Sequence, residues 1–240
     1  MARFGTAQRS TRDDRAKKRL RLAGLVFLTV SAAAAAADSS LSPQVRDLLS
    51  RAEAGDAASQ FRVAAAYDWG KGAPRDGAQA MRWYRAAAGQ GMSEAQNSLG
   101  SALQAEKRYG EALPWYEKAA AQKNAPALNN LAFLYDTGLG VERDRAKAFT
   151  LYSQSAELGW AEAMWNISVM HGAGQISGTP DLLQACTWTV RARRFAHGDQ
   201  RIDANAARAM QFLHSRLSAT EMKTCEENGG NWSPAASEAP

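Results

Sequence analysis

The chain is 240 residues long, with 45% hydrophobic residues, seven Pro, two Cys and a formal net charge of +5. That hydrophobic share with so few prolines excludes a disordered or collagen-like chain, and two cysteines cannot frame a disulfide-stapled miniprotein. Alanine makes up roughly a fifth of the sequence, well above ordinary globular usage, and the length allows one large domain or two small ones. The charge is uneven: eight of the 29 basic residues and two of the 24 acidic ones lie in residues 1–37. The remainder holds 21 basic and 22 acidic residues, a net of −1. Such a body lacks the positive excess that phosphate backbones demand, so nucleic acid is not an expected partner.

Residues 3–21 are basic, Leu22 to Val30 (LAGLVFLTV) is apolar, Ser31 and six alanines follow, and Asp38-Ser39-Ser40 turns polar. A basic region, a short apolar core and small residues before a polar step predict a secretory signal peptide over 1–37, cleaved after Ala37, with Ala35 and Ala37 as the small residues of the site. No Cys near the junction allows lipidation, and no Arg-Arg pair precedes the apolar run. The core is about nine residues, or about sixteen with the alanines, against the roughly 20 of a membrane-spanning helix. An uncleaved anchor is the alternative, and only then is a membrane a partner. Cleavage places the mature chain in an oxidising space, periplasmic or secreted.

Residues 38–54 read as an N-terminal cap. Ser42-Pro43 starts its helix, Val45, Leu48, Leu49 and Ala52 make an apolar stripe, and Gly55 ends it. From 55 to 193 the chain repeats itself. One large apolar position recurs as Val63, Leu99, Leu131 and Ile167, at spacings of 36, 32 and 36 residues, and a small residue follows each: Ala64, Gly100, Ala132 and Ser168. Trp83, Trp115, Leu151 and Trp188 recur further on, followed by Tyr84, Tyr116, Tyr152 and Thr189. Each unit reads as two helices. In the third, Leu128, Leu131 and Tyr135 share one face of the first helix, and Ala148, Leu151, Tyr152 and Ser155 one face of the second. The Gly-x-Gly runs at 70–72 and 138–140 end first helices, and Asp76 and Asp144 suit second-helix N-termini. Unit two lacks the Gly-x-Gly loop, and unit four replaces it with Gly172, Gly174, Gly178 and Pro180. A pair of such helices cannot bury both faces alone but stacked neighbours can, so the predicted fold is all-α, an α-solenoid of four hairpins.

The stretches AAAYDWGKGAPRDGAQAMRWYRAAA (64–88) and AFLYDTGLGVERDRAKAFTLYSQSA (132–156) resemble Sel1-like repeats: a small residue, Tyr, Gly-x-Gly and Asp, then a helix with an aromatic-Tyr pair and paired alanines. The resemblance covers about 55–193, with units two and four departing in their loops; unit two is closer to a tetratricopeptide unit. It implies a right-handed superhelix that binds proteins and carries no catalytic residues of its own.

Residues 194–227 read as C-terminal capping helices. Ala206, Ala209, Met210, Leu213 and Leu217 line one side of the first, and Ser218-Ala219-Thr220-Glu221 looks like a capping box opening a short helix through Cys225. A flexible tail is predicted over 228–240, with Trp232 a candidate to fold back. In an oxidising space Cys186 and Cys225 can pair if their Cα atoms approach within about 7 Å, stapling the last helix to the stack; two buried free thiols are the alternative.

Chemistry is sparse. His171, His197 and His214 show no metal-ligand spacing, so neither metal nor cofactor is expected, and Gly70-Lys71-Gly72 lacks the rest of a phosphate loop. No Gly-x-Ser-x-Gly elbow occurs. Glu157 and Glu162 read as solvated rather than as an acid pair. Arg191, Arg193, Arg194 and Arg201 form the one local basic cluster: a contact for an acidic partner or a membrane surface, or a solvated helix end. By the geometry of the family, first helices line a concave face, and residues two before and two after the apolar anchors face it. These are Phe61, Asn97, Asn129 and Trp165, then Ala65, Ser101, Phe133 and Val169. Asn would bond the backbone of an extended peptide, and Phe and Trp would take its side chains; contact with neighbouring helices is the alternative use. The expected function is an exported, non-enzymatic scaffold or regulator that binds a protein or peptide segment. The rivals are a hydrolase acting on cell-wall peptides or β-lactams, for which no nucleophile with a base is visible, and a membrane-tethered assembly factor.

Overall fold

The computed structural model describes residues 40–234. The predicted signal peptide and residues 235–240 lie outside the described residues. Within them the chain forms helices and no strand. A capping helix α1 (Pro43–Glu53) precedes four hairpins: α2 (Ala57–Trp69) with α3 (Gly77–Gly89), α4 (Ser93–Ala105) with α5 (Tyr109–Ala120), α6 (Ala125–Thr137) with α7 (Arg145–Glu157), and α8 (Ala161–Gly172) with α9 (Leu182–Phe195). Two closing helices follow, α10 (Gln200–His214) and α11 (Ala219–Gly230). Each helix up to α10 packs on the next in chain order, the nearest-neighbour arrangement of a solenoid. The end departs from it: α11 docks on α9, beside α10.

Short polar side chains start most helices. Ser42, Asp56, Asp76, Asn124, Asp144, Asp181, Asp199 and Ser218 each accept a hydrogen bond from a backbone N–H of the first turn. The Asp56 carboxyl is held below its ordinary pKa chiefly by its hydrogen bonds from Ser59. Gly70 and Gly138 end α2 and α6 with φ of 67° and 75°, a left-handed conformation in which a Cβ would clash with the backbone. Gly140 is needed for a second reason, since a Cβ there would lie 2.6 Å from the backbone N of Gly110. The Gly-x-Gly loop of the third unit therefore rests on the turn of the second. That second unit turns more tightly, with Lys107 itself at φ 61°.

One apolar cluster runs without a break from Leu48 to Ile202. Val63, Leu99 and Ile167 are fully buried, Leu131 nearly so, and each anchors its unit. The small residue after each anchor matters most in unit two, where the Tyr116 ring lies against Gly100: a Cβ on Gly100 would sit 2.6 Å from Cε1. The recurring Tyr84, Tyr116 and Tyr152 are buried, and the first two have hydroxyls satisfied within the hairpin. Tyr84 Oη donates to Asp68 Oδ2 (3.3 Å) and Tyr116 Oη to Gln104 Oε1 (2.9 Å). Burial pushes the Tyr116 phenol up to about 12.

Glutamines pin successive units. Gln60 Nε2 donates to Ala52 O (3.0 Å), and Gln90 Nε2 reaches both Gly55 O (2.9 Å) and Gln60 Oε1 (2.8 Å). One unit on, Gln96 Nε2 donates to Ala88 O (3.2 Å), and Gln122 Nε2 to Gly91 O (3.1 Å) and Gln96 Oε1 (2.9 Å).

The C-terminal end is more ordered than its composition predicts. The capping box at Ser218 and Glu221 is formed, but α11 continues past Cys225 to Gly230. The expected tail from Asn228 is thus helix followed by docked chain as far as Pro234. Gly229 allows the docking, since a Cβ there would lie 2.6 Å from Val190 Cβ. Trp232 folds back beside Trp188 and Phe195, with ring centroids 6.1 and 5.7 Å away. Cys186 and Cys225 form a disulfide with Cα atoms 5.7 Å apart.

Candidate functional site

Helices α4 and α6 touch, as do α8 and α10, although each pair is separated in the chain by another helix. Amide side chains also bond across the row of first helices: Asn130 Nδ2 on α6 donates to Asn97 Oδ1 on α4, and Asn166 Nδ2 on α8 donates to Asn129 Oδ1 on α6, each at 3.0 Å. Helices approach most closely on the inner side of a curved stack, so the first helices α2, α4, α6 and α8 form the inner row. The two bonds make a repeated rung, from the residue two before one anchor to the residue one before the next.

The positions expected to face a ligand divide into two groups. Asn129 is 4% exposed and its carbonyl is taken by Asn166, so the structure gives it a partner inside the row. Asn97 is half-buried, with its carbonyl taken by Asn130. Both keep free amide donors by these bonds. Ser101 is exposed, with Oγ 3.3 Å from the Tyr116 hydroxyl. Phe133 and Val169 are exposed, and Phe61 and Trp165 are half-buried. Phe61 rests against the Tyr84 ring at 5.7 Å. The structure does not bring these residues into one pocket. Phe61 lines an open cavity of about 780 Å³ between α1 and α2, together with Arg62, Ala65, Trp69 and Lys71. Trp165 and Val169 line another of about 300 Å³ against α9 and α10, together with Phe212. Asn97, Asn129, Ser101 and Phe133 belong to the row between them.

Sequence reasoning missed Asn130, Asn166, Arg62, Trp69 and Phe212. The first two carried a signal: Asn stands two before an anchor in one unit and one before it in the next, twice over. Arg62 occupies the same register as Asn130 and Asn166. Trp69 and Phe212 had none, because their place depends on how α1 and α10 close the ends of the row.

The basic cluster is largely spent on the chain itself. The Arg191 guanidinium lies 4.4 Å from the Trp188 ring centroid and 5.1 Å from that of Trp232, and burial lowers its pKa. Arg194 donates to the carbonyls of Gly230 and Trp232, and Arg201 pairs with Glu162. The pairing of Glu162 takes it out of any acid pair with Glu157. Each histidine is held separately: His171 edge-on to Phe149, His197 edge-on to Phe195, and His214 at 2.8 Å from Met210 O. Among the described residues no group of three or more His, Cys, Asp or Glu is placed to hold a metal ion, and no helix is long and apolar enough to cross a membrane.

An inner row of helices studded with amides and exposed rings, closed by capping helices at both ends, defines a helical-repeat solenoid. The chain belongs to the Sel1 repeat family, whose sequence profile matches it four times, at residues 57–92, 93–124, 125–160 and 161–194. Members of that family are in general protein-interaction scaffolds without catalysis. A protective antigen of uropathogenic Escherichia coli displaying an SLR fold is similar in structure, with a TM-score of 0.70 and 25% identity over 77% of this chain. This chain spans 39% of the length of that antigen. A Sel1 repeat protein from Oxalobacter formigenes is also similar, with a TM-score of 0.60 and 26% identity over 74% of this chain and 73% of its own. Comparison with curated protein sequences gives no match.

Proposed function

We propose that this chain is an exported, non-catalytic scaffold that holds a protein segment along its inner row of first helices. The observation that carries the reading is the row itself. Its amide rungs pin α4, α6 and α8 to one another, which leaves the exposed Phe133, Val169 and Ser101 on a surface whose shape is set before any partner arrives. A preformed surface spares the association the cost of ordering it. Export is supported by the leader-like sequence over 1–37 and by the pairing of the only two cysteines, a bond favoured in oxidising compartments.

Crosslinking in intact cells, followed by mass spectrometry, tests the scaffold reading. A protein partner crosslinked to α4, α6 or α8 is the expected result. A purified sample that hydrolyses muropeptides and captures no protein would overturn it. Sequencing the N-terminus of the cellular protein tests export: a start near Asp38 is expected, whereas an intact leader in the membrane fraction makes the chain a tethered factor.

A further inference from the structure

The two ends of the inner row differ in chemistry, and the difference specifies a partner. At the N-terminal end no first helix precedes α2 among the described residues, and the side of α2 that a preceding unit would cover is open against α1. Phe61 and Trp69 stand there with Arg62 and Lys71, and Trp69 is 67% exposed. The Lys71 ammonium lies 5.5 Å from the Trp69 ring centroid. Arg62 is exposed, and the nearby Arg51 is paired with Asp47, the one carboxylate lining the cavity. The unneutralised charge is therefore positive and sits beside aromatic surface. At the C-terminal end, Trp165 and Phe212 face a cleft with almost no polar lining, and Phe212 is 51% exposed.

Resting on the scaffold reading above, we infer that the occupant is an extended protein segment with two anchors: a carboxylate beside an aromatic or aliphatic side chain at the α2 end, and a second large apolar side chain at the α8–α10 end. The carboxylate meets Arg62 and Lys71, its neighbour lies on Phe61 and Trp69, and the distant apolar residue enters the cleft of Trp165 and Phe212. From α2 to α8 the row advances three helices at about 8–10 Å each, or about 24–30 Å. An extended chain covers that span in about seven to nine residues, which sets the anchor spacing. Between the anchors the half-buried Asn97, whose bond to Asn130 uses only its carbonyl, offers an amide donor to the partner backbone.

The test pans a phage library of random dodecapeptides against the oxidised full-length protein and measures selected peptides, fluorescein-labelled, by anisotropy. The expected consensus is an acidic-apolar pair separated by seven to nine residues from a second apolar residue. Changing Arg62→Glu with Lys71→Glu should weaken these peptides about tenfold at low salt, with the loss shrinking as salt rises. Trp165→Ala should weaken them at all salt concentrations. Arg62 and Lys71 are surface positions and Trp165 is half-buried, so an unchanged circular dichroism spectrum and unfolding midpoint verify that each variant folds. Binding that depends on Trp165 but not on Arg62 and Lys71 overturns the anchor assignment and leaves the scaffold reading standing. Peptides indifferent to every change in the row, or no enrichment at all, overturn both. Dimerisation through the α2 end, or peptide binding that appears only when residues 1–37 are removed, makes a second copy or the chain's own leader the occupant and overturns the inference.

Discussion

Gly100 holds the register of Ala64, Ala132 and Ser168, and its surroundings require the glycine. Tyr116 is fully buried and its ring fills the space a Cβ would need. Gly100→Ala should therefore cost about 1–3 kcal/mol by overpacking, although the same change gains up to about 1 kcal/mol at an open helical site. Gly89 in α3 meets nothing within 4 Å and supplies the control; urea midpoints of the two variants should move in opposite directions. His171 carries a pH dependence. Burial lowers its pKa, only partly offset by the charge of Asp181, so the unfolded chain binds the proton more readily. The stability share of the neutral ring is complete above the unfolded value of about 6.5 and is lost as pH falls through the folded value. Between about pH 7 and pH 5 the urea midpoint should fall, and it should fall less in His171→Gln. An equal fall in both proteins assigns the effect to other groups.

Between elements, the rungs set how one unit stands on the next. Removing the Asn166 donor leaves the carbonyl of Asn129 nearly buried and unpaired, a loss of about 1–3 kcal/mol. Asn166→Ala should thus cost more than Asn129→Ala with Asn166→Ala together cost beyond Asn129→Ala alone, and a double-mutant cycle by chemical denaturation reads the coupling directly. Additive losses would mean that the bond at 3.0 Å contributes nothing net. The glutamine pins explain why Gln60 and Gln96 are tolerated at 6% and 4% exposure, since each donates to a carbonyl of the preceding unit. Both glutamines lie three before an anchor, a regularity visible in the sequence, but their acceptors are backbone atoms that no sequence pattern marks.

Over the whole molecule, stability is distributed by neighbours, and the C-terminal end depends on the disulfide. It closes a loop across a separation of 39 residues, for which chain-entropy arguments give about 4 kcal/mol. Cys186→Ser with Cys225→Ser should release α11 first. Hydrogen exchange should speed up in α10 and α11 while α4 to α7 keep their protection, because a solenoid unit feels only its neighbours. Uniform loss of protection would instead mark one cooperative unit.

Four hairpins and the anchors Val63, Leu99, Leu131 and Ile167 were legible in the sequence, because a period repeated along the chain encodes a contact repeated along the stack. The capping residues and the cysteine pair were legible for a similar reason: each acts within a few residues or has a single candidate partner. Tertiary structure alone decided that Asn97 and Asn129 bond Asn130 and Asn166, that Phe61 and Trp165 serve opposite ends, and that Arg191 and Arg194 hold the returning Trp232. Those outcomes depend on the angle between neighbouring units and on how the end helices dock. Packing of the whole stack sets both; the recurring Asn register marks the rung residues in the sequence but does not record which atoms they bond.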